Sequence, residues 1–143
     1  MIGLCVEKFS RLKVSSRKRI EELMEDALEG FIGLDVDTKD VVVGEMFNKC
    51  KLSSAEAVLI GLLSYKAMYM IGWRDTDAVS AKEISEKLGL NYNTVRKTLS
   101  KLVEAKLVER RSRGLYALRV SALEKVSDII LRAKHRCVKG EAE

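Results

Sequence analysis

The chain has 143 residues, of which 47% are apolar and 33% are charged, and its formal net charge is +5. This length and apolar content suit one folded domain with modest extensions and exclude wholesale disorder. Three widely separated cysteines (Cys5, Cys50 and Cys137) and one histidine exclude a conventional four-ligand zinc site. We expect the cysteines to be free thiols, which indicates a reducing compartment.

The apolar stretches predict no membrane segment. The first nine residues are too short and too polar for a signal peptide, and the longest apolar stretch, residues 57–71, is interrupted by Ser64 and Lys66. A bilayer crossing needs about 20 apolar residues. We therefore expect a cytoplasmic protein without a membrane partner.

The N-terminal part of the chain is predicted to be helical or mixed. Apolar positions alternate loosely over residues 1–14, so a strand is one option there. A helix is predicted over 17–31, where apolar residues recur at spacings of three and four. Residues 36–50 stay ambiguous, because acidic residues there can begin a helix whereas the valines at 41–43 favour a strand. We assign residues 1–52 to an extension for dimerisation or partner contact.

The next segment begins with a helix-capping pattern. Ser53 and Glu56 form a Ser-x-x-Glu capping box, and the helix that follows is apolar nearly all round. Such a helix must be covered on several sides, by the N-terminal helix or by a second subunit. A second box, at Ser80 and Glu83, opens a short helix that Gly89 ends.

Asn91 then caps a further helix, predicted from Tyr92 to about Ala105. Two helices separated by so short a glycine-containing turn cross steeply, as in a helix-turn-helix. Beyond them the apolar period changes to two, which predicts a β-hairpin over 107–120 with its tip at 112–114. A last helix, capped by Ser121, is predicted over 121–136.

The segment from Val79 to Val120 resembles the winged helix-turn-helix of bacterial and archaeal transcriptional regulators, above all the MarR-like group. The shared pattern is a capped short helix, Gly-x-Asn, Thr-Val followed by basic residues, and leucine-spaced turns running into Leu-Val-Glu-Arg. With the preceding long helix the resemblance covers residues 53–120. It implies a mainly α fold with a small antiparallel β-hairpin, flanked by N- and C-terminal helices. The sequence departs from the pattern at Lys106, where such domains usually have glycine, and in a wing without Asp-x-Arg-Arg.

The resemblance implies a sequence-specific regulator that binds double-stranded DNA through a recognition helix (92–105) and a basic wing (108–120). The charge pattern agrees, because residues 91–119 contain eight Lys or Arg and two acidic residues. Opposite its apolar face the recognition helix carries cationic and hydrogen-bonding side chains, which suit base edges and phosphates. The predicted DNA-contacting residues are Ser80, Lys82, Asn91, Tyr92, Asn93, Thr94, Arg96, Lys97, Ser100, Lys101, Arg110, Arg111 and Arg113.

A homodimer is expected, with helices 17–31 and 121–136 at its interface, because two recognition helices double the contact and match palindromic sites. The aromatic residues Tyr65, Tyr69 and Trp73 recur every four positions and either line an effector pocket or pack in a core or subunit contact. No other feature supports a small-molecule effector.

The sequence predicts neither an enzyme nor a cofactor. It contains no spacing that suggests a nucleophile with its base, no glycine-rich phosphate loop and no metal-ligand set. The alternative function is an architectural or protein-interaction winged helix in a replication, transcription or segregation complex.

Overall fold

The computed structural model describes residues 19–142 of the chain and the side chains of residues 19–138. The strand suggested within residues 1–14 and the start of the first helix lie outside these residues. Helix α1 is described over 19–28, and Met24, Ala27 and Leu28 on its inner face are buried, as the apolar spacing predicts.

A two-stranded antiparallel hairpin follows α1. Strand β1 (Ile32–Asp35) pairs with β2 (Asp40–Val43), and the helix α2 (Glu45–Lys49) follows directly. The strand alternative for the valines 41–43 is therefore confirmed, and a helix begins only at Glu45. Asp35 supports the turn between the strands, since its Oδ1 accepts the Asp37 amide at 2.9 Å.

Helix α3 (Ser54–Met70) is the centre of the core. Its capping box is confirmed: Ser53 Oγ accepts the Glu56 amide at 3.1 Å, and Glu56 Oε1 accepts the Ser53 amide at 2.9 Å. Every residue from Ala57 to Lys66 is buried. Other elements of the same chain pack against α3 and bury its apolar surface. They are β1, two later helices that belong to the helix-turn-helix (residues 81–88 and 92–104), a later strand (residues 115–118) and the C-terminal helix.

The remaining elements form the winged helix-turn-helix and the C-terminal helix. They are β3 (Val79–Ser80), α4 (Ala81–Leu88), α5 (Tyr92–Glu104), β4 (Val108–Ser112), β5 (Leu115–Leu118), a 3₁₀ turn (Val120–Ala122) and α6 (Leu123–Ala142). The mainly α fold class with a small antiparallel hairpin is thus confirmed. Ser121 lies inside the 3₁₀ turn and does not cap α6, contrary to the prediction. No helix in the described part of the chain has the length and apolarity to span a membrane.

The short strand β3 was not predicted and enlarges the hairpin to a three-stranded sheet of order β3-β5-β4. Val79 pairs with Tyr116 and Ser80 with Leu115. Two residues are too few to produce a periodic signal, so only the arrangement of the hairpin against the segment before α4 reveals this strand.

Cys50 and Cys137 are joined in a disulfide with Cα atoms 5.5 Å apart. The expectation that these two cysteines are free thiols is therefore wrong. They are 87 residues apart in sequence, and it is the packing of α6 beside the end of α2 that brings them together.

Candidate nucleic-acid interface

The helix-turn-helix begins with α4, which is held at both ends by local hydrogen bonds. Ser80 Oγ accepts the Glu83 amide at 3.1 Å, whereas the Glu83 carboxylate binds Arg74 at 3.3 Å, so only the serine half of the predicted capping box forms. At the other end Gly89 has a φ of +66°, a conformation that a glycine adopts without strain. Ser85 Oγ donates to the Leu90 carbonyl at 2.7 Å and closes the turn.

Helix α5 buries one face and exposes the other, as predicted for a recognition helix. Val95, Leu99 and Leu102 are buried against α3, and Thr98 is also buried. Asn91 caps the helix, with Oδ1 accepting the Thr94 amide at 3.2 Å. The polar and cationic side chains on the outer face are exposed: Asn93, Thr94, Arg96, Lys97, Ser100 and Lys101.

The end of α5 explains the departure of the sequence at Lys106. Lys106 has a φ of +64°, and its amide donates to the Val103 carbonyl at 3.0 Å. The next amide, from Leu107, donates to the Leu102 carbonyl at 3.1 Å. This pair of hydrogen bonds is a Schellman motif, in which the left-handed position favours glycine. The lysine keeps the motif at a cost in backbone strain.

The wing is the β4–β5 hairpin, which turns at Arg113 and Gly114. Arg110 pairs with Tyr116 and Ser112 with Leu115, so Arg111 is the extra residue of a β-bulge. A bulge re-aims the side chain that it carries. The guanidinium of Arg111 binds Asp77, with Nη1 at 2.9 Å from Oδ1 and Nη2 at 3.1 Å from Oδ2.

Asp77 is the centre of a buried ionic cluster that joins the wing to the core. Its side chain is 3% exposed, and its Oδ2 also accepts a hydrogen bond from Lys66 Nζ of α3 at 3.0 Å. Arg111 contacts Glu109 as well. The Glu109 hydrogen bond, followed by the charge of Asp77, raises the pKa of Arg111 above its ordinary value, so this guanidinium stays charged. Arg111 anchors the wing, and its contact with DNA stays a prediction.

The outer face of α5 and the wing meet in an open cleft of about 260 Å³. Its lining includes Tyr116 of β5 and five of the predicted DNA-contacting residues: Asn93, Arg96, Lys97, Ser100 and Arg110. Arg110 lies over the Tyr116 ring at 5.4 Å and donates to the tyrosine hydroxyl at 3.1 Å. Stacking and hydrogen bonding hold the guanidinium in the lining of the cleft.

The other predicted residues are not among those that line this cleft. Ser80 is half-buried and caps α4, while Lys82, Lys101 and Arg113 are exposed on α4, α5 and the wing tip. Tyr92 is 46% exposed, and Arg96 lies over its ring at 5.7 Å. Their exposure leaves these hydrogen-bonding and cationic side chains open to solvent.

Sequence reasoning missed Tyr116, Asp77 and Lys66. Tyr116 gives a weak signal, because an aromatic residue in a predicted strand is ordinary. Asp77 belongs to a polar connector, and Lys66 interrupts an apolar helix. Of the three, only Lys66 carried a usable signal in the sequence. A charge within a buried helix needs a partner, so its presence indicates an acidic residue nearby.

The three aromatic residues predicted to line a pocket or to pack in a core or subunit contact differ in their burial. Tyr65 is 1% exposed with Arg74 over its ring at 4.7 Å, whereas Tyr69 is 42% exposed and Trp73 is half-buried. Burial raises the pKa of the Tyr65 hydroxyl strongly. Tyr65 is thus a core residue, and the three rings do not share one environment.

Comparison with known proteins identifies a helix-turn-helix domain. The family model described by that name matches residues 67–111, which include the end of α3, all of α4 and α5, and most of β4. The predicted helix-turn-helix is thereby confirmed. No curated protein matches the chain.

Two solved crystal structures are similar to this one. The MarR family transcription regulator SP03579 has 14% sequence identity and a TM-score of 0.40, with 95% of this chain and 78% of that chain covered. The MarR family transcriptional regulator Sco5413 from Streptomyces coelicolor has 17% identity and a TM-score of 0.40, with 92% and 78% covered.

Proposed function

We propose that this protein is a transcriptional regulator that binds specific sites in double-stranded DNA. Helix α5 enters the major groove and the β4–β5 wing contacts the flanking backbone or the minor groove. This proposal places the protein in the cytoplasm with the DNA.

The observation that carries the proposal is the cleft in which Asn93, Arg96, Lys97 and Ser100 of α5 face Arg110 of the wing. An exposed helix face of this composition can read base edges, because Asn and Arg form paired hydrogen bonds with adenine and guanine. Cations on the wing neutralise phosphates on either side of the groove. The fit of a helix to the major groove requires that this face stays open, and its polar residues are exposed.

A homodimer completes the proposed DNA complex. A single recognition helix reads few base pairs, and a two-fold pair reads two half-sites about one helical turn apart. Helices α1 and α6 flank the winged helix-turn-helix and are the proposed dimer elements. Measuring the mass of the full chain in solution by light scattering, with and without DNA, tests this part of the proposal.

The test of DNA binding starts with selection of preferred duplexes from a random pool. Affinity for the selected duplex is then measured by fluorescence anisotropy at several salt concentrations for the wild type and for the double variant Arg96→Ala/Lys97→Ala. We expect the double variant to bind about 10- to 100-fold more weakly, since a paired base contact contributes about 1–3 kcal/mol. The salt slope should fall by about 1 for each phosphate that the variant no longer neutralises.

The matched control is Lys49→Ala/Lys51→Ala, which removes the same charge from exposed positions at the end of α2, outside the proposed dimer elements. It should bind the selected duplex like the wild type. Unchanged affinity of Arg96→Ala/Lys97→Ala would show that α5 does not contact DNA through this face. A steep salt slope without sequence preference would favour the architectural alternative, and no binding to any duplex at low salt would favour a protein-only adaptor.

A further inference from the structure

The disulfide between Cys50 and Cys137 includes none of the residues of the proposed DNA interface and has no part in the function proposed above. Cys50 is the C-cap residue of α2, and Cys137 lies in the C-terminal half of α6. The bond joins residues separated by 87 positions, and the chain between them contains α3, the helix-turn-helix and the wing. It therefore links α1, β1, β2 and α2, here called the α/β extension, covalently to the C-terminal half of α6.

Noncovalent contacts hold the same part of α6 against the start of α3 and against the segment that precedes it. Arg136 binds Glu56, with Nη2 at 2.8 Å from Oε1, and donates to the Lys51 carbonyl at 3.1 Å. Lys134 Nζ donates to the Asp26 carbonyl of α1 at 2.7 Å. Because these contacts join the same segments as the bond does, a disulfide between the two cysteines can re-form with little loss of chain entropy.

The linked extension also touches the helix-turn-helix. Asp40 of β2 forms an ion pair with Lys87 of α4. A covalent bond at the end of α2 thus limits the movement of a hairpin that supports the first helix of the helix-turn-helix.

Small thiol reagents can reach the pair. Both cysteines are half-buried, and both neighbours of Cys50, Lys49 and Lys51, are exposed. Accessible disulfides exchange with dissolved thiols, whereas fully buried ones resist. This step rests on the cytoplasmic location in the function proposed above: there a disulfide is exposed to a reducing thiol pool, so reversible formation is the expected behaviour.

We propose that Cys50 and Cys137 are a reversible oxidation site, which locks the α/β extension onto α6 in response to low-molecular-weight disulfides. The thiolate of one cysteine attacks a sulfur of the small disulfide, forms a mixed disulfide and releases one small thiolate. The thiolate of the second cysteine then attacks the protein-bound sulfur and releases the other. Two electrons pass from the cysteine pair to the small disulfide, and the two cysteine protons end on the two released thiols.

The first experiment titrates the full-length wild type in mixtures of reduced and oxidised glutathione, followed by acid quenching, mass-tagging of free thiols and peptide mapping. Oxidising mixtures should leave one of the three thiols free and link Cys50 to Cys137, and an excess of reduced glutathione should free all three. The variant Cys5→Ser should still form the bond, whereas Cys50→Ser and Cys137→Ser should not. No bond between Cys50 and Cys137 in oxidising mixtures, or a bond that excess reduced glutathione leaves intact, would overturn the proposal.

The second experiment measures the lock itself by limited trypsin digestion of the same samples. Cleavage after Lys49 and Lys51 should be at least about tenfold faster in the reduced protein, because the local opening that exposes this segment is no longer restrained. Cleavage at Arg113 in the wing tip is the internal control and should keep its rate. Equal cleavage after Lys49 and Lys51 in both redox states would contradict a lock. Neither experiment uses DNA, so its failure is separate from failure of the proposed regulator.

Discussion

The buried cluster around Asp77 makes the strongest prediction about stability. Replacing Asp77 by Asn keeps the shape of the side chain but removes its charge and places an NH₂ group among the donors of Lys66 and Arg111. Asp77 is 3% exposed and the Lys66 side chain 9%, so water cannot replace the missing partner of the ammonium group. The variant therefore leaves a buried positive charge on α3 without its carboxylate.

The magnitude follows from the geometry of this cluster. Lys66 Nζ lies 3.0 Å from Asp77 Oδ2, and at an effective dielectric constant of about 20 the Coulomb energy of such a pair is about 5 kcal/mol. Removing one partner of a buried pair typically costs about 3–5 kcal/mol. Since a domain of this kind is stable by about 5–15 kcal/mol in all, Asp77→Asn should remove a large part of the free energy of unfolding.

The assay is urea unfolding followed by circular dichroism, with three comparisons. Arg111→Ala should cost less, about 1–2 kcal/mol, because its side chain is 39% exposed and Asp77 keeps Lys66. Lys66→Met/Asp77→Leu, which removes both buried charges, should lie within about 1–2 kcal/mol of the wild type. A cost below about 1 kcal/mol for Asp77→Asn would refute the reasoning. So would a cost of the double variant equal to the sum of the costs of Lys66→Met and Asp77→Leu, each measured alone.

Two further predictions concern the ends of helices. Lys106→Gly should stabilise the protein by about 0.5–1 kcal/mol, since relief of about 1–2 kcal/mol of left-handed strain exceeds the entropy that glycine adds to the unfolded chain. Lys106→Ala keeps the strain and should show no such gain in urea unfolding; equal behaviour of both variants would contradict this explanation. Burial raises the pKa of Glu56, but hydrogen bonds from Arg136 and the Ser53 amide outweigh it and lower the pKa below 4.5. The charged Glu56 carboxylate therefore stabilises the folded protein fully above pH 4.5, and this contribution is lost as the pH falls through the folded-state pKa of Glu56. Glu56→Gln should cost about 1–2 kcal/mol at neutral pH, and thermal unfolding should show this difference shrinking in acid; a constant difference would exclude the charge as its source.

Local sequence signals determined most of the helix-turn-helix. The cap at Ser53, the glycine turn at Gly89 and the cap at Asn91 act between residues a few positions apart, so their hydrogen bonds could be predicted from spacing. The inner and outer faces of α5 followed from the period of the helix in the same way. For these features the determining interactions are contained within one element.

Segments with competing signals depended on what packs against them. The valines at 41–43 became a strand because β1 is available as a partner, and the two-residue strand β3 exists only through β5. Only the serine half of the second capping box forms, because the Glu83 carboxylate binds Arg74 and does not accept the Ser80 amide. Local spacing cannot predict a competitor that lies elsewhere in the fold.

By itself the sequence determined the capped helices, the wing hairpin and the positive charge of the region that contains them, because each follows from neighbouring residues. Only the tertiary structure decided that Asp77 joins Lys66 to Arg111, that Tyr116 completes the cleft beside α5, and that Cys50 meets Cys137. These contacts connect residues distant in sequence, and their existence depends on how α3, α6 and the wing pack around one core.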